Sequence, residues 1–412
     1  MNSLYDLRRK LPSLGGLMSQ ALNLERYSQR APLQDALGGL TAAIVSLPMA
    51  LAFGTVSGLG AEAGLYGAII VGLTAAVFGG TRVLISEPTG PMTVMMTAIV
   101  AHGVAMDPAR GAELAFVVVI LAGVFQIVFG KLRLGRYITM MPYGVISGFM
   151  SGIGVLLVVQ QFPGMLGLSD VQALIETFRS FTQDFTVADH LEAAVGIGVF
   201  VVLVAYPKSL RRYLPPQLLA LLLGLAASIL ITAAAGPTYG LQTIGAMEIG
   251  FPRPHVPAVS FEILGTLLVD AVLLGLLGSI DTLLTATISD NLSSTHHDSD
   301  RELVGQGIAN FLSGLFGGLP GAGATMGTVV TIQTGARSPL AGIVRTVVLI
   351  ASVAVFSPVI ALIPLAVLSA IAVKVGIDIL DWSFLGRAHH ISRSTTVIMY
   401  LVLGLTVFVD LI

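Results

Sequence analysis

The chain has 412 residues, 55% of them hydrophobic and 11% charged, and its net charge is −2 from 21 basic and 23 acidic side chains. That balance offers no basic surface for nucleic acid, and with no cysteine there are no disulfides, thiolate metal sites or cysteine nucleophiles. A mean hydropathy of +0.89, spread over apolar stretches of about 20 residues with short polar joints, defines a polytopic helical membrane protein.

Residues 1–31 are polar and amphipathic and carry Arg8, Arg9 and Lys10 ahead of any apolar run. They lack the compact apolar core and small-residue cleavage site of a signal peptide, so they read as a cytoplasmic N-terminal helix preceding a transmembrane domain over 32–412. Thirteen spans follow, at about 34–57, 63–80, 86–103, 111–130, 137–162, 188–206, 215–235, 262–289, 302–318, 320–335, 339–357, 359–376 and 393–411. If the connections alternate between two sides, one side collects sixteen Lys and Arg residues, including Arg82, Lys131, Arg133, Arg136, Lys208, Arg211, Arg212, Arg301, Arg337 and Arg387. The other side collects only Arg110, Arg179 and Arg253, while Arg345 and Lys374 lie within spans. Cytoplasmic loops are the basic ones, so the N-terminus is predicted to be cytoplasmic.

Seven spans per half, an odd number, give two halves of opposite orientation. Pro48 precedes Pro91 by the same 43 residues that separate Asp281 from Ala324. The expected fold is therefore an all-α inverted repeat of seven plus seven spans. On that pattern a fourteenth span is due after residue 411, yet the sequence stops at Ile412, so the expectation is either an unusually short final pair or a truncated product.

Two segments break the apolar pattern: SEPTGPMTVMMT, from Ser86 to Thr97, and LPGAGATMGTVV, from Leu319 to Val330. Each starts with Pro, Gly and small residues and turns into a short helical run, which predicts half-helices (spans 3 and 10) beginning at depth in the bilayer. Broken backbone there is tolerated only where protein or a water-filled cavity satisfies it, and a matched pair of breaks points to a transporter's substrate site. Each helix N-terminus carries about half a positive charge and up to four unpaired N–H groups. Two of them facing each other make an anion site from backbone, and Thr89, Gly90, Pro91, Ala324 and Thr325 are small or hydroxylated enough to allow close approach. The alternative is that these residues only kink tightly packed helices.

Span 8 carries two acids within the membrane, Asp270 and Asp281, eleven residues apart and therefore on nearly the same helix face. Asp281, in mid-span with Thr285 one turn later, is the candidate coupling site, as a carboxylate that takes a proton or ligates Na⁺; its other possible role is to brace the facing half-helix of span 10. Glu87, just before Pro88, is either a second titrating group or an acid near a positive helix end. His296, His297, Asp298 and Asp300 lie in a polar cytoplasmic joint and are expected to be solvated rather than metal-bound; no resident cofactor or metal is expected. His389 and His390 read as interfacial, and Met92, Met95 and Met96 as helical packing. No GxGD, GxSG or HExxH pattern supports an intramembrane enzyme.

The runs LPMALAF (Leu47 to Phe53), GLYGAIIVGLTAAVFGGTR (ending at Arg82) and SEPTGPMTV, followed by SIDTLLTATISDN, THHDSDRELVGQGIAN and GGLPGAGATMGT, resemble the sulfate permease family, called solute carrier family 26 in animals. The resemblance covers about residues 30–411 and extends to bacterial members that move bicarbonate or dicarboxylates. It implies a core domain (about 34–130 and 262–357) sliding as an elevator against a gate domain (about 137–235 and 359–412). It also implies a bound anion between span 1 and the starts of spans 3 and 10, a homodimer, and a C-terminal STAS domain, related to anti-sigma-factor antagonists, that this sequence lacks. Phe53 matches the aromatic placed beside the substrate, and Asp281 with Thr285 matches a sodium-site pair. Two positions depart from the family pattern: Met49 stands where many members have Gln, and Gly327 where many have Arg.

With no Arg in span 10, the expectation is symport of a small anion (dicarboxylate, bicarbonate or sulfate) together with H⁺ or Na⁺. An uncoupled anion channel or exchanger, and a nucleobase transporter of the same fold, are the alternatives.

Overall fold

The computed structural model describes residues 31–138, 140, 142–168, 190–207, 210, 214–235, 241–246, 254, 261–387 and 392–408. The predicted N-terminal helix before residue 31, His389, His390 and the stretch after residue 408 lie outside the described residues.

In chain order the elements are α1 (Ala31–Val56), α2 (Ala61–Phe78), β1 (Ser86–Glu87), α3 (Gly90–Met106), α4 (Gly111–Lys131), α5 (Gly135–Ile138), α6 (Tyr143–Met165), α7 (His190–Ala205) and α8 (Pro216–Ala235). The second half holds α9 (Phe261–Ser293), α10 (Ser299–Leu315), β2 (Ala322–Gly323), α11 (Thr325–Gln333), α12 (Leu340–Ile360), α13 (Leu365–Ile379), α14 (Trp382–Arg387) and α15 (Arg393–Phe408). Among the described residues, seven helices are long and apolar enough to cross a membrane, and three shorter ones, including Gly90–Met106, are apolar as well. Twelve of the thirteen expected spans correspond to one helix each and the fifth to two, and the order helix, helix, strand, helix, helix occurs twice, as α1-α2-β1-α3-α4 and as α9-α10-β2-α11-α12.

Several boundaries move for local reasons. Spans 3 and 10 were expected from residues 86 and 320, but the helices start at Gly90 and Thr325, because the residues before them are extended strands paired with each other. Span 5 was expected from 137; Pro142, at φ −60 and ψ 132, divides it into the short α5 and the long α6, as a residue without an N–H does at a helix start. Asp298 accepts from the backbone of Arg301 and starts α10 at Ser299 rather than at 302. The span expected at 359–376 begins only at Leu365, since α12 continues through Pro358 to Ile360.

Close packing between helices rests on small residues, as lipid-embedded interfaces require. A Cβ on Gly123 of α4 would come within 2.4 Å of the Phe311 nitrogen of α10, and one on Gly307 of α10 within 2.6 Å of the Gly123 carbonyl. Gly154 of α6 and Gly376 of α13 meet each other's carbonyls in the same way. α4 therefore lies along α10, and α10 also packs on α2, while α12 packs on α1 and α2; α6 lies along α13 and α15. Phe53 of α1, Met92, Met95 and Met96 of α3, Val118 of α4 and Leu274 of α9 share one buried apolar cluster that seats α3 against its neighbours.

Candidate functional site

The two breaks meet. β1 and β2 pair antiparallel, with Ser86 opposite Gly323 and Glu87 opposite Ala322, and Ala324 N–H donates to the Ile85 carbonyl at 2.7 Å. α3 and α11 thus leave the same crossing in different directions. Neither start receives a side-chain cap: Thr89 and Ala324 occupy the cap positions without making one, and Pro91 stands in the first turn of α3.

The Thr89 hydroxyl is instead spent on α9, donating to Asp281 Oδ2 at 2.7 Å. One turn further along, Thr285 Oγ1 donates to the Gly323 carbonyl at 2.8 Å and lies 3.0 Å from Thr325 Oγ1. Between them Thr282 Oγ1 accepts from Gly323 N–H at 3.2 Å. One face of α9 therefore crosses both breaks, with the carboxylate on the α3 side and the hydroxyls on the α11 side. The expected brace between Asp281 and the start of span 10 is made by Thr282 and Thr285 instead. Gly323 is required here by space, because a Cβ would sit 2.9 Å from the Thr285 Cβ and 3.2 Å from the Thr282 Cα.

Of the expected site residues, Thr89, Gly90, Pro91, Glu87, Asp281, Thr285 and Ala324 are buried around the crossing, whereas Thr325 and the adjacent Met326 are exposed. Phe53 is buried in one apolar cluster with Met92, Met95 and Met96 of α3. A Cβ on Gly90 would meet Ile379 Cδ1 of α13 at 2.5 Å, so α13 and α6, through Leu157, stand over the start of α3. A cavity of about 330 Å³ lies between α1, α3, α6, α7 and α13, lined by Thr55, Ser57, Thr97, Gln160, Gln161 and Glu192 among others. It reaches α3 at Thr97, about two turns beyond Thr89, and does not include Thr89, Ala324 or Asp281.

Several residues that hold the crossing were not singled out by sequence. Arg345 of α12, fully buried, donates through Nε to Ser46 Oγ at 2.8 Å, through Nη1 to the Ala68 and Ser86 carbonyls at 3.1 and 3.4 Å, and through Nη2 to the Glu87 carboxylate. The signal was a lone arginine in an apolar span, which needs an acid within reach. Glu302 of α10 accepts from Gly80 N–H, Thr81 N–H and Thr81 Oγ1, each at 2.7 Å, and fixes the approach to the first break. Asn310 and Gln306 of α10 hold both polar groups of Gly321 before the second break.

Asp270 pairs with His102 of α3 at 3.0 Å, away from the crossing. In the polar joint between α9 and α10, His297 is tied to Asp290 and Asp300 Oδ1 accepts from Gly135 N–H at 3.1 Å, so these side chains fasten loops.

Two opposed half-helices joined by a strand crossing, bridged by one long helix that carries a buried acid, define a transporter of the inverted-repeat class rather than an enzyme. The chain belongs to the sulfate permease family, whose model matches residues 33–402. It is 51% identical over 384 residues to the bicarbonate transporter BicA of Picosynechococcus sp., covering 92% of this chain and 67% of that protein. It is 50% identical over 382 residues to BicA of Synechocystis sp., covering 92% and 66%. The chain thus spans about two thirds of the length of the curated relatives it matches.

The solved transmembrane domain of a cyanobacterial BicA superposes with a TM-score of 0.88 at 48% identity, covering 93% of this chain and 97% of that one. Murine Solute Carrier 26 family member A9, in an inward-facing state, shares the fold at 18% identity and a TM-score of 0.85, covering 99% of this chain and 72% of that one.

Proposed function

We propose that this chain is the membrane-embedded part of a secondary active transporter that carries bicarbonate together with a monovalent cation. The observation that carries this reading is the pair of uncapped helix starts, α3 and α11, held against each other by β1 and β2 under one face of α9. Each start contributes about half a positive charge and unpaired N–H groups, so an anion between Thr89, Gly90, Pro91, Ala324 and Thr325 would be held by backbone donors. Bicarbonate is favoured over sulfate and dicarboxylates because relatives at 51% and 50% identity are named bicarbonate transporters.

Asp281, the Thr285 and Thr325 hydroxyls and the Gly323 carbonyl supply a run of oxygens along the crossing, the kind of set that takes Na⁺ next to unwound backbone. A proton on Asp281 would serve the same purpose by cancelling a buried charge. Glu87, paired with Arg345, is assigned to the scaffold and not to coupling. The cavity at Thr97 is read as the outer approach to the site, and the side rich in Lys and Arg as cytoplasmic. In this scheme α1–α4 and α9–α12 slide against α6–α8 and α13–α15, in a homodimer.

Uptake of radiolabelled bicarbonate into proteoliposomes, with and without an inward Na⁺ or H⁺ gradient, tests the reading. Accumulation above equilibrium that depends on one of the gradients supports it; flux that only equilibrates the label identifies a channel or exchanger.

A further inference from the structure

Arg345 and Glu87 form the only described ion pair in which both side chains are buried and one partner stands in a strand of the crossing. Glu87 lies between its partner and the second half-helix: Oε2 takes Arg345, and Oε1 would be 3.5 Å from a Cβ on Gly327, in the first turn of α11. Arg345 is held on its other side by Ser46, Ala68 and Ser86, and Gly72 has no side chain because a Cβ there would come within 2.2 Å of Nη1. The guanidinium cannot turn away, and it is always charged. Its positive charge therefore stands permanently behind the α11 start, and Glu87 is the acid placed between the two.

We infer that Glu87 determines the charge class of the transported anion, by cancelling Arg345 so that the crossing accepts a monovalent rather than a divalent anion. This rests on the anion reading of the crossing given above. With the pair neutral, the fixed charge near the helix starts is that of Asp281, and the two helix ends together supply about one positive charge. One cation at Asp281 and one monoanion at the helix ends close that balance, whereas a dianion leaves a buried negative charge uncompensated, which is costly in a low-dielectric site. Removing the charge of Glu87 exposes Arg345 and shifts the balance by one unit towards a dianion.

The test is the ratio of initial sulfate to bicarbonate uptake by the purified chain in liposomes under one fixed cation gradient. Glu87→Gln raises the ratio by about tenfold or more, and Glu87→Gln combined with Arg345→Gln returns it towards the parent value. Removing one partner of a buried pair also weakens the fold, so Thr325→Lys, at an exposed position, adds a positive charge to the same site without touching the pair and raises the ratio in the same direction. An unchanged ratio in folded Glu87→Gln overturns the inference. If that variant does not fold, an unchanged ratio in Thr325→Lys overturns it. Ala324→Leu and Thr325→Leu, which fill the space in front of the α11 start, separate this result from failure of the underlying reading: they slow both anions if the crossing binds them, and if neither flux changes, the site assignment itself falls.

Discussion

The two breaks share one backbone design, a two-residue strand leading into an uncapped helix, and are fastened by different chemistry. The first is held by charge: Glu302 takes three donors from Gly80 and Thr81, and Arg345 takes Glu87 and the Ser86 carbonyl. The second is held by neutral groups: Asn310 and Gln306 on Gly321, Ser313 on the Leu319 carbonyl, and Thr282 and Thr285 on Gly323. The repeat thus preserves topology while its side chains diverge. The charged break leads into the longer half-helix, buried beneath α13 and α6, and the neutral break into the nine-residue α11, whose first residues are exposed. Charge near a site that is itself electrostatic alters what binds, whereas amides and hydroxyls hold position with little field. The first break is therefore suited to setting selectivity and the second to presenting donors.

Asp281, on the face of α9 that crosses both breaks and bonded to Thr89 at the first, should give the largest effect. Asp281→Asn is expected to lower gradient-driven bicarbonate uptake about 100-fold or more, and driven uptake that persists unchanged would remove Asp281 from coupling. Next is the charged fastening: Arg345→Met leaves Glu87 buried and unpaired and should destabilise the protein by about 3–5 kcal/mol, read as a lowered melting midpoint in detergent. The neutral counterpart is weaker, since Asn310→Ala removes hydrogen bonds to Gly321 and should cost about 1–3 kcal/mol. If Asn310→Ala proves as damaging as Arg345→Met, the contrast between charged and neutral breaks is wrong.

The smallest effect lies away from both breaks, at Asp381 between α13 and α14. Burial pushes its carboxyl upward, but hydrogen bonds from Tyr143, Ser383, Ser147 and the Phe384 N–H outweigh this and hold it below its ordinary value of 3.8. A carboxyl lowered on folding contributes stability above its unfolded value, and this is lost as pH falls through the folded value. Melting midpoints followed downward from pH 5 should fall less in Asp381→Asn than in the parent; parallel curves would show that Asp381 does not contribute.

Most of the fold was legible in the sequence because span length, hydropathy and the distribution of Lys and Arg are local signals, and Pro and Gly mark the two breaks where a membrane helix must stop. What the sequence left open was tertiary. Arg345 was visible only as a charge inside a span, because its partner Glu87 lies 258 residues away. The strand pairing of Ser86 with Gly323 had no alternating pattern to announce it, each strand being two residues long. The matched spacing of Asp281 and Ala324 placed the acid opposite the second break, yet its carboxylate is used by Thr89 at the first, a choice of rotamer and helix rotation that periodicity does not resolve.

The central claim is that a bound anion sits on the backbone donors of both half-helix starts. Solid-state NMR of the protein in bilayers, with ¹³C-bicarbonate and ¹⁵N-labelled glycine and threonine, measures this directly through ¹³C–¹⁵N dipolar dephasing. The account predicts dephasing at the amides of Gly90 and Thr325, within about 4 Å as hydrogen-bonded contact requires, and loss of it when excess unlabelled bicarbonate is added. Dephasing confined to amides elsewhere, with none at either helix start, would contradict it.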